Sequence, residues 1–194
     1  MDLDILPLRV ATPEIWAGVA LADFDAFLLD HASCERKAAA NCMSFIARCS
    51  DRPALVEPLV SLAREELEHF GQVYRLIQRR GLCLGPDEKD PYVNLLLGGV
   101  RKEPQERLLD RLIAASLIEA RSCERFQLVA QRLEDPELRD FYQTLCRSEA
   151  GHYRVFVRIA ARLFPEAAVA EALERLARRE AEAMLATPFR AAVH

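Results

Sequence analysis

Two proline-marked breaks, Ser50-Asp51-Arg52-Pro53 and Glu134-Asp135-Pro136, constrain this chain more than any other feature. Each falls in the middle of a long stretch whose apolar residues recur at helical spacing. Proline fixes its own φ and has no amide donor, so it suits a helix's first turn and disrupts its interior. A short polar turn closed by proline therefore ends one helix and starts the next. Before the first break the helical pattern runs from about Leu21 to Arg48, with Phe24, Phe27, Leu28, Ala38, Cys42, Phe45 and Ile46 as its apolar positions. After it the pattern runs from about Pro53 to Arg80 and stops at Gly81. The second break separates helices over about Gln105 to Leu133 and Glu137 to Phe164. Thr12-Pro13-Glu14 opens a short helix ahead of these, and Pro165 opens another that runs to about Leu185 before a short tail.

The segment from Gly81 to Pro104 breaks this rhythm with Gly85-Pro86, Asp90-Pro91 and Gly98-Gly99, leaving room for one short helix around Tyr92 to Leu97. It reads as a long crossover between two helical hairpins. Glycine is scarce, no β-branched run alternates over a strand length, and alanine, leucine, glutamate and arginine dominate, all helix formers. The expected fold class is all-α: a ferritin-like four-helix bundle with one long crossover and additional N- and C-terminal helices. Residues 1–194 are expected to form a single domain, with a core bundle over about 21–164 and an extra helix over about 165–185.

Apolar residues make up 51% and charged residues 29% of the 194, which suits a globular protein with a real core. No run of 18 or more apolar residues occurs, so no membrane span is expected. Met1 to Val10 carries acidic residues and no basic stretch, unlike a signal peptide, and a cytoplasmic location is expected. The six cysteines form no Cys-x-x-Cys pair and most sit in helical patterns beside alanine and leucine, so buried thiols are expected rather than a disulfide or zinc framework. The net charge of −4 excludes a general basic field for nucleic acid. Apart from Lys37, Lys89 and Lys102 every basic residue is arginine, a composition that suits phosphate contacts and equally a GC-rich coding sequence.

Two of the four histidines follow a glutamate by three residues, as Glu66-x-x-His69 and Glu149-x-x-His152. Positions three apart share a helix face, so each pair can serve one metal. Their placement matters more than their number. Across an antiparallel helix pair, residues equally far from the turn lie side by side. Glu35 and Glu66 are centred on the first turn, and Glu119 and Glu149 on the second. All four glutamates are thus about fifteen residues, or roughly 22 Å, from their turns. Packed together, the hairpins would bring four carboxylates to one level. Such a layer repels itself and resists desolvation. Two divalent metals, held by Glu35, Glu66, His69, Glu119, Glu149 and His152, resolve the cost. The preponderance of oxygen donors favours iron or manganese over zinc or copper.

Glu65 and Glu68 are displaced about 100° or more from the required face. Glu124 rivals Glu119, because Ser122-Cys123-Glu124-Arg125 echoes Ser33-Cys34-Glu35-Arg36; distance from the turn favours Glu119. His31 lies one turn before Glu35, as a partner for it or as a core residue. His194, the last residue, is expected to be unstructured.

The order of glutamate and Glu-x-x-His, given twice, resembles the ferritin-like di-iron proteins. The text Leu28-Leu29-Asp30-His31-Ala32, Glu35-Arg36-Lys37-Ala38-Ala39, Glu65-Glu66-Leu67-Glu68-His69-Phe70 and Glu119-Ala120-Arg121-Ser122-Cys123-Glu124-Arg125-Phe126 resembles the bacterial tRNA-(2-methylthio-N6-isopentenyladenosine) hydroxylase family. That resemblance spans about Leu21 to Phe164. It implies a monooxygenase that hydroxylates the isopentenyl group of a modified adenosine next to the anticodon of tRNA. It also implies two iron ions on the six residues named, with Glu66 and Glu149 as bridges. O2 would be the co-substrate, and an external donor such as a reductase or ferredoxin would supply electrons. Arg75, Arg79, Arg80, Arg101, Lys102, Arg175, Arg178 and Arg179 are the candidate phosphate contacts. The competing readings are another ferritin-like di-iron protein, a ferroxidase or peroxidase, and a non-catalytic helical interaction module.

Overall fold

The computed structural model describes residues 7–194. The expectation placed on Met1 to Val10 falls largely outside the described residues. Among those residues there are seven helices and no strand: α1 (Ile15–Ala22), α2 (Phe24–Arg48), α3 (Pro53–Arg79), α4 (Pro91–Leu97), α5 (Pro104–Arg132), α6 (Pro136–Leu163) and α7 (Glu166–Ala186). The fold is all-α and of the ferritin-like class, with two long hairpins and one long crossover. No helix is long and apolar enough to cross a membrane.

The ends of the helices follow from local chemistry. Apolar periodicity runs through Leu21-Ala22-Asp23-Phe24, and a single helix was expected from about Leu21. The chain instead breaks at Asp23, whose carboxylate accepts the amide of Ala26 at 3.1 Å and caps α2. Asp90 caps α4 through the amide of Val93, and Asp135 caps α6 through those of Glu137 and Leu138. Prolines occupy the first turns of α3, α4, α5 and α6, where a missing amide costs nothing. Gly81 stops α3 at φ 73°, a left-handed conformation that side chains disfavour. The amides of Gly81 and Leu82 return to Gln78 and Ile77.

The chain forms two compact units. One comprises residues 18–88 and 189–193 and contains the α2–α3 hairpin. Phe27, Leu28, Phe45, Leu55, Leu59, Leu62, Val73 and Ile77 are among its buried apolar residues. Fully buried side chains of this size stabilise by about 1.5–3 kcal/mol each. The other unit comprises, of the described residues, 7–17, 89–188 and 194 and contains the α5–α6 hairpin with α4 and α7. Within it α4, α6 and α7 all pack on α5, which is buried almost continuously from Leu109 to Phe126. A helix buried on nearly every side carries polar residues inward, and α5 carries several.

Two of those buried acids are matched by arginine. Asp110 accepts the backbone amide of Arg101 at 2.9 Å and its guanidinium at 2.8 and 3.0 Å, and Arg175 approaches at 2.6 Å. Burial pushes the Asp110 carboxyl up, but the bonds from Arg101 and Arg175 outweigh it and hold it below its ordinary value. Arg175 also donates to the carbonyl of Gly99 and Arg179 to that of Leu95, so two arginines of α7 satisfy the C-terminal end of α4. The approach is close enough that a Cβ on Gly99 would sit 2.9 Å from Arg179 Cγ.

The second network centres on the fully buried Arg121. It donates to Glu180 at 2.8 Å, to Thr12 Oγ1 at 3.0 Å and to the carbonyl of Val10 at 2.9 Å, and it pairs with Glu124. Thr12 gives both its amide and its hydroxyl to Glu124, at 2.9 and 2.6 Å. Tyr92 donates to Glu180 at 2.9 Å, and burial followed by the Glu180 charge raises its phenol well above the usual value. Arg125 lies over the rings of Trp16 and Tyr92, at 4.8 and 5.9 Å; burial pulls its guanidinium down to about 10, still charged at neutral pH.

Asp110 sets a signed pH dependence. Its folded value is depressed, so its stabilisation is complete above the unfolded value of about 3.9 and fades as pH falls through the lower folded one. Asp110→Asn is expected to cost about 1–3 kcal/mol at neutral pH. Its urea midpoint should converge on the wild type's below about pH 4; parallel curves down to acid pH would contradict the assignment. Arg121→Met leaves Glu124 and Glu180 buried without their cation and is expected to cost about 3–5 kcal/mol in urea denaturation. A loss within about 0.5 kcal/mol, typical of surface changes, would show that the network carries no stability.

Candidate metal centre

In the unit containing α2 and α3, helix periodicity turns Glu35 inward from α2, and Glu66 with His69 inward from one face of α3. All three are buried, at 4%, 1% and 8% exposure. His69 Nδ1 lies 3.7 Å from Glu35 Oε2 and 3.7 Å from Glu66 Oε2. The spacing across the turn brings these three side chains together. His31 resolves toward the partner role: its Nε2 is 2.7 Å from Glu35 Oε1, both side chains being buried. The i, i+4 spacing carried that signal.

The unit containing α5 and α6 carries a second Glu-x-x-His pair. Glu149 and His152 are buried on α6, with His152 Nδ1 3.1 Å from Glu149 Oε2 and its Nε2 3.3 Å from the hydroxyl of Ser148. In both halves, then, Nδ1 is the ring nitrogen that faces carboxylate. Glu119 is buried on α5 at 7% exposure. Glu124 lies five residues on, about 140° around the helix, and both its oxygens are engaged by Thr12 and Arg121.

The donors fit divalent metal ions. Two carboxylates in one half converge on a histidine, which carries at most one positive charge. Oxygen, oxygen and nitrogen are the donors expected for a hard or borderline transition metal. Imidazole and carboxylate placed this way could bind a metal; they do not form the nucleophile–base pair of a hydrolase.

The expectations around these residues fare unevenly. His194 is ordered rather than loose: it is 5% exposed, stacks on Tyr92 at 5.2 Å and lies 3.1 Å from Ser122 Oγ and 3.4 Å from Asp90 Oδ2. A terminal position favours disorder only where no partner waits, and here an aromatic ring and two polar groups do. Several arginines expected to face phosphate are used internally. Arg80 pairs with Asp25, Arg101 with Asp110 and Glu106, Arg175 with Asp110, Arg178 with Glu174 and Arg179 with Glu182. Arg75, Arg79 and Lys102 are exposed. The Thr12–Arg121–Glu180 network was not foreseen, because its members are far apart in sequence and follow no periodic pattern. The six cysteines form no disulfide, as expected, although Cys83 is exposed. Cys123 and Cys146 sit 3.5 Å apart across the α5–α6 hairpin.

Comparison with known proteins agrees with this chemistry. The family described as tRNA-(MS[2]IO[6]A)-hydroxylase (MiaE) matches residues 4–194. A tRNA 2-(methylsulfanyl)-N(6)-isopentenyladenosine(37) hydroxylase of Pseudomonas putida is 41% identical over 175 residues, which are 90% of this chain and 85% of that one. The protein of the same name from Salmonella typhimurium is 39% identical over 112 residues, 58% of this chain and 41% of its own. A solved structure, protein 43 with aldehyde deformylating oxygenase activity from Synechococcus, superimposes with a TM-score of 0.92 at 39% identity, covering 98% of this chain and 96% of that one. The chain belongs to the tRNA-(MS[2]IO[6]A)-hydroxylase (MiaE) family.

Proposed function

We propose that this protein is a non-haem di-iron, O2-dependent monooxygenase that hydroxylates the isopentenyl side chain of 2-methylthio-N6-isopentenyladenosine in tRNA. The family and the relatives' names support the substrate. The carrying observation for the chemistry is that each hairpin buries a Glu-x-x-His pair, Glu66 with His69 and Glu149 with His152. With Glu35 and Glu119 these make the set of four carboxylates and two histidines that holds two irons in ferritin-like proteins. In this reading both hairpins serve a single domain. The Synechococcus relative is an oxygenase, which supports O2 as co-substrate.

Two irons bound there would supply the redox chemistry toward O2, with two electrons from an external reductase or ferredoxin. The chain's own residues hold and tune the site. Glu66 and Glu149 come from the i positions of their motifs and would be among the residues that hold the metal ions. His31 keeps Glu35 oriented, as the partner of a metal-binding carboxylate does. Ser148 does the same for His152. Buried apolar side chains in each unit, among them Phe27, Leu28 and Leu62 in one and Phe156 in the other, give the interior that would exclude water from a reaction at an allylic carbon. A cytoplasmic location, where tRNA and soluble electron donors meet, belongs to the same reading.

Anaerobic reconstitution separates the two rival glutamates. The wild type is expected to bind about two irons per chain. Glu119→Ala should lose at least half of them, whereas Glu124→Ala should keep them while losing about 1–3 kcal/mol of stability. The opposite pattern would exchange the two assignments, and a wild type without iron would remove the enzymatic reading. Reduced, iron-loaded protein should convert prenylated tRNA to the hydroxylated nucleoside in a single turnover with O2. Iron-loaded protein that instead deformylates a long-chain aldehyde and leaves tRNA untouched would overturn the substrate.

A further inference from the structure

Helix α6 carries its histidine and glutamate inward and something different outward. Arg147, Arg154, Arg158 and Arg162 are all exposed. At roughly 100° per residue they fall within an arc of about 80°, on the side opposite Glu149 and His152. The stripe is about 22 Å long. Between Phe141 and Phe164 the only acid on α6 is Glu149, which is 1% exposed. Among the described residues no acidic side chain pairs with any of the four. Arg147 donates to its neighbour Thr144 and Arg154 lies over Tyr153 at 5.5 Å, contacts that leave their charge uncompensated. This contrasts with Arg101, Arg175 and Arg121, whose charge is matched inside the protein.

A second observation adjoins the stripe. A cleft of about 430 Å³ between α5 and α6 is lined by Gln127, Gln131, Gln143 and Arg147, with Ala130 and Cys146 beside them. Gln127 Oε1 is buried and accepts no hydrogen bond there. A buried acceptor costs about 1–3 kcal/mol unless something donates to it. Three amides offer donors and acceptors together, as base edges and ribose hydroxyls require. Arg147 belongs to both features, so stripe and cleft are continuous. Along α6 the cleft residues Gln143 and Cys146 lie only about 5–9 Å from the level of Glu149.

We propose that this α5–α6 face is where the RNA docks: the arginine stripe runs along the phosphates of the anticodon arm, and the glutamine cleft takes a nucleotide flanking the modified adenosine. The inference rests on the tRNA reading above. Arginine without lysine suits bidentate phosphate contacts, and positioning by phosphate with discrimination by base edges is how nucleic-acid surfaces divide the work. An acidic electron-donor protein would match the arginines but would have no use for a cleft of neutral amides.

The test uses the full-length, iron-loaded protein and an anticodon stem-loop carrying the prenylated adenosine. Binding is followed by fluorescence anisotropy between about 50 and 200 mM salt, where phosphate contacts weaken steeply. Arg154→Glu/Arg158→Glu is expected to weaken binding at least tenfold and to reduce the salt slope by about two. Gln131→Leu/Gln143→Leu should weaken it several-fold with the slope unchanged. Arg64→Glu/Arg107→Glu changes the net charge equally at exposed positions elsewhere and should have less than about a twofold effect. Iron content and helicity report that each variant is folded. Equal losses from the stripe and control pairs would overturn the proposal. So would a stripe variant that binds RNA normally but loses turnover only when a protein supplies the electrons. A wild type that binds no tRNA would defeat the functional reading itself, whereas wild-type binding that the stripe variant retains defeats only the docking surface.

Discussion

Buried negative charge has to be met by positive charge, and this chain meets it in two chemically distinct ways. Asp110, Glu124 and Glu180 are each matched by arginine, in geometry that uses several of the guanidinium's donors. Arginine stays charged, so these carboxylates are neutralised permanently, and both oxygens of Asp110 and of Glu124 are occupied. Glu35 and Glu66 meet a histidine instead, as does Glu149. Histidine is a weaker and conditional cation, and it keeps a lone pair for a metal. The first arrangement glues helices together. The second leaves oxygen and nitrogen donors that a divalent cation could use. On α5 the arginine-matched kind is Glu124, whose oxygens Thr12 and Arg121 engage.

That rule explains what was legible in the sequence. The Glu-x-x-His pairs and their mirrored glutamates obey helix periodicity and turn position, both of which are written along the chain. The α2–α3 half therefore assembled as read, with Glu35, Glu66 and His69 converging. The echo of Ser33-Cys34-Glu35-Arg36 in Ser122-Cys123-Glu124-Arg125 pointed elsewhere, because a local likeness says nothing about what faces it. Thr12 and Arg121 claim Glu124, and Thr12 comes from a segment 112 residues away. The fate of His194 was hidden for the same reason: Tyr92, Asp90 and Ser122 await it from distant positions. At Asp23 the signal was present but outvoted. Apolar spacing ran through it, yet one capping bond was enough to divide α1 from α2.

The arginines show how far composition alone can mislead. Many of those nearest the crossover and on α7 serve the fold, closing the end of α4 and neutralising Asp110. Their enrichment is structural at these positions, whatever its origin in codon usage. Subtracting them leaves a charge pattern that the overall balance of −4 conceals. A chain can be acidic in sum and still present one uncompensated basic face, because screening confines surface charge to roughly 8–10 Å. On α6 that face shares a helix with Glu149 and His152, and the two lie on opposite sides of it. A single helix thereby ties the position of a bound polyanion to the position of the residues proposed to hold iron. Its regular helical rise sets the reach between them, which a loop of the same composition would not fix.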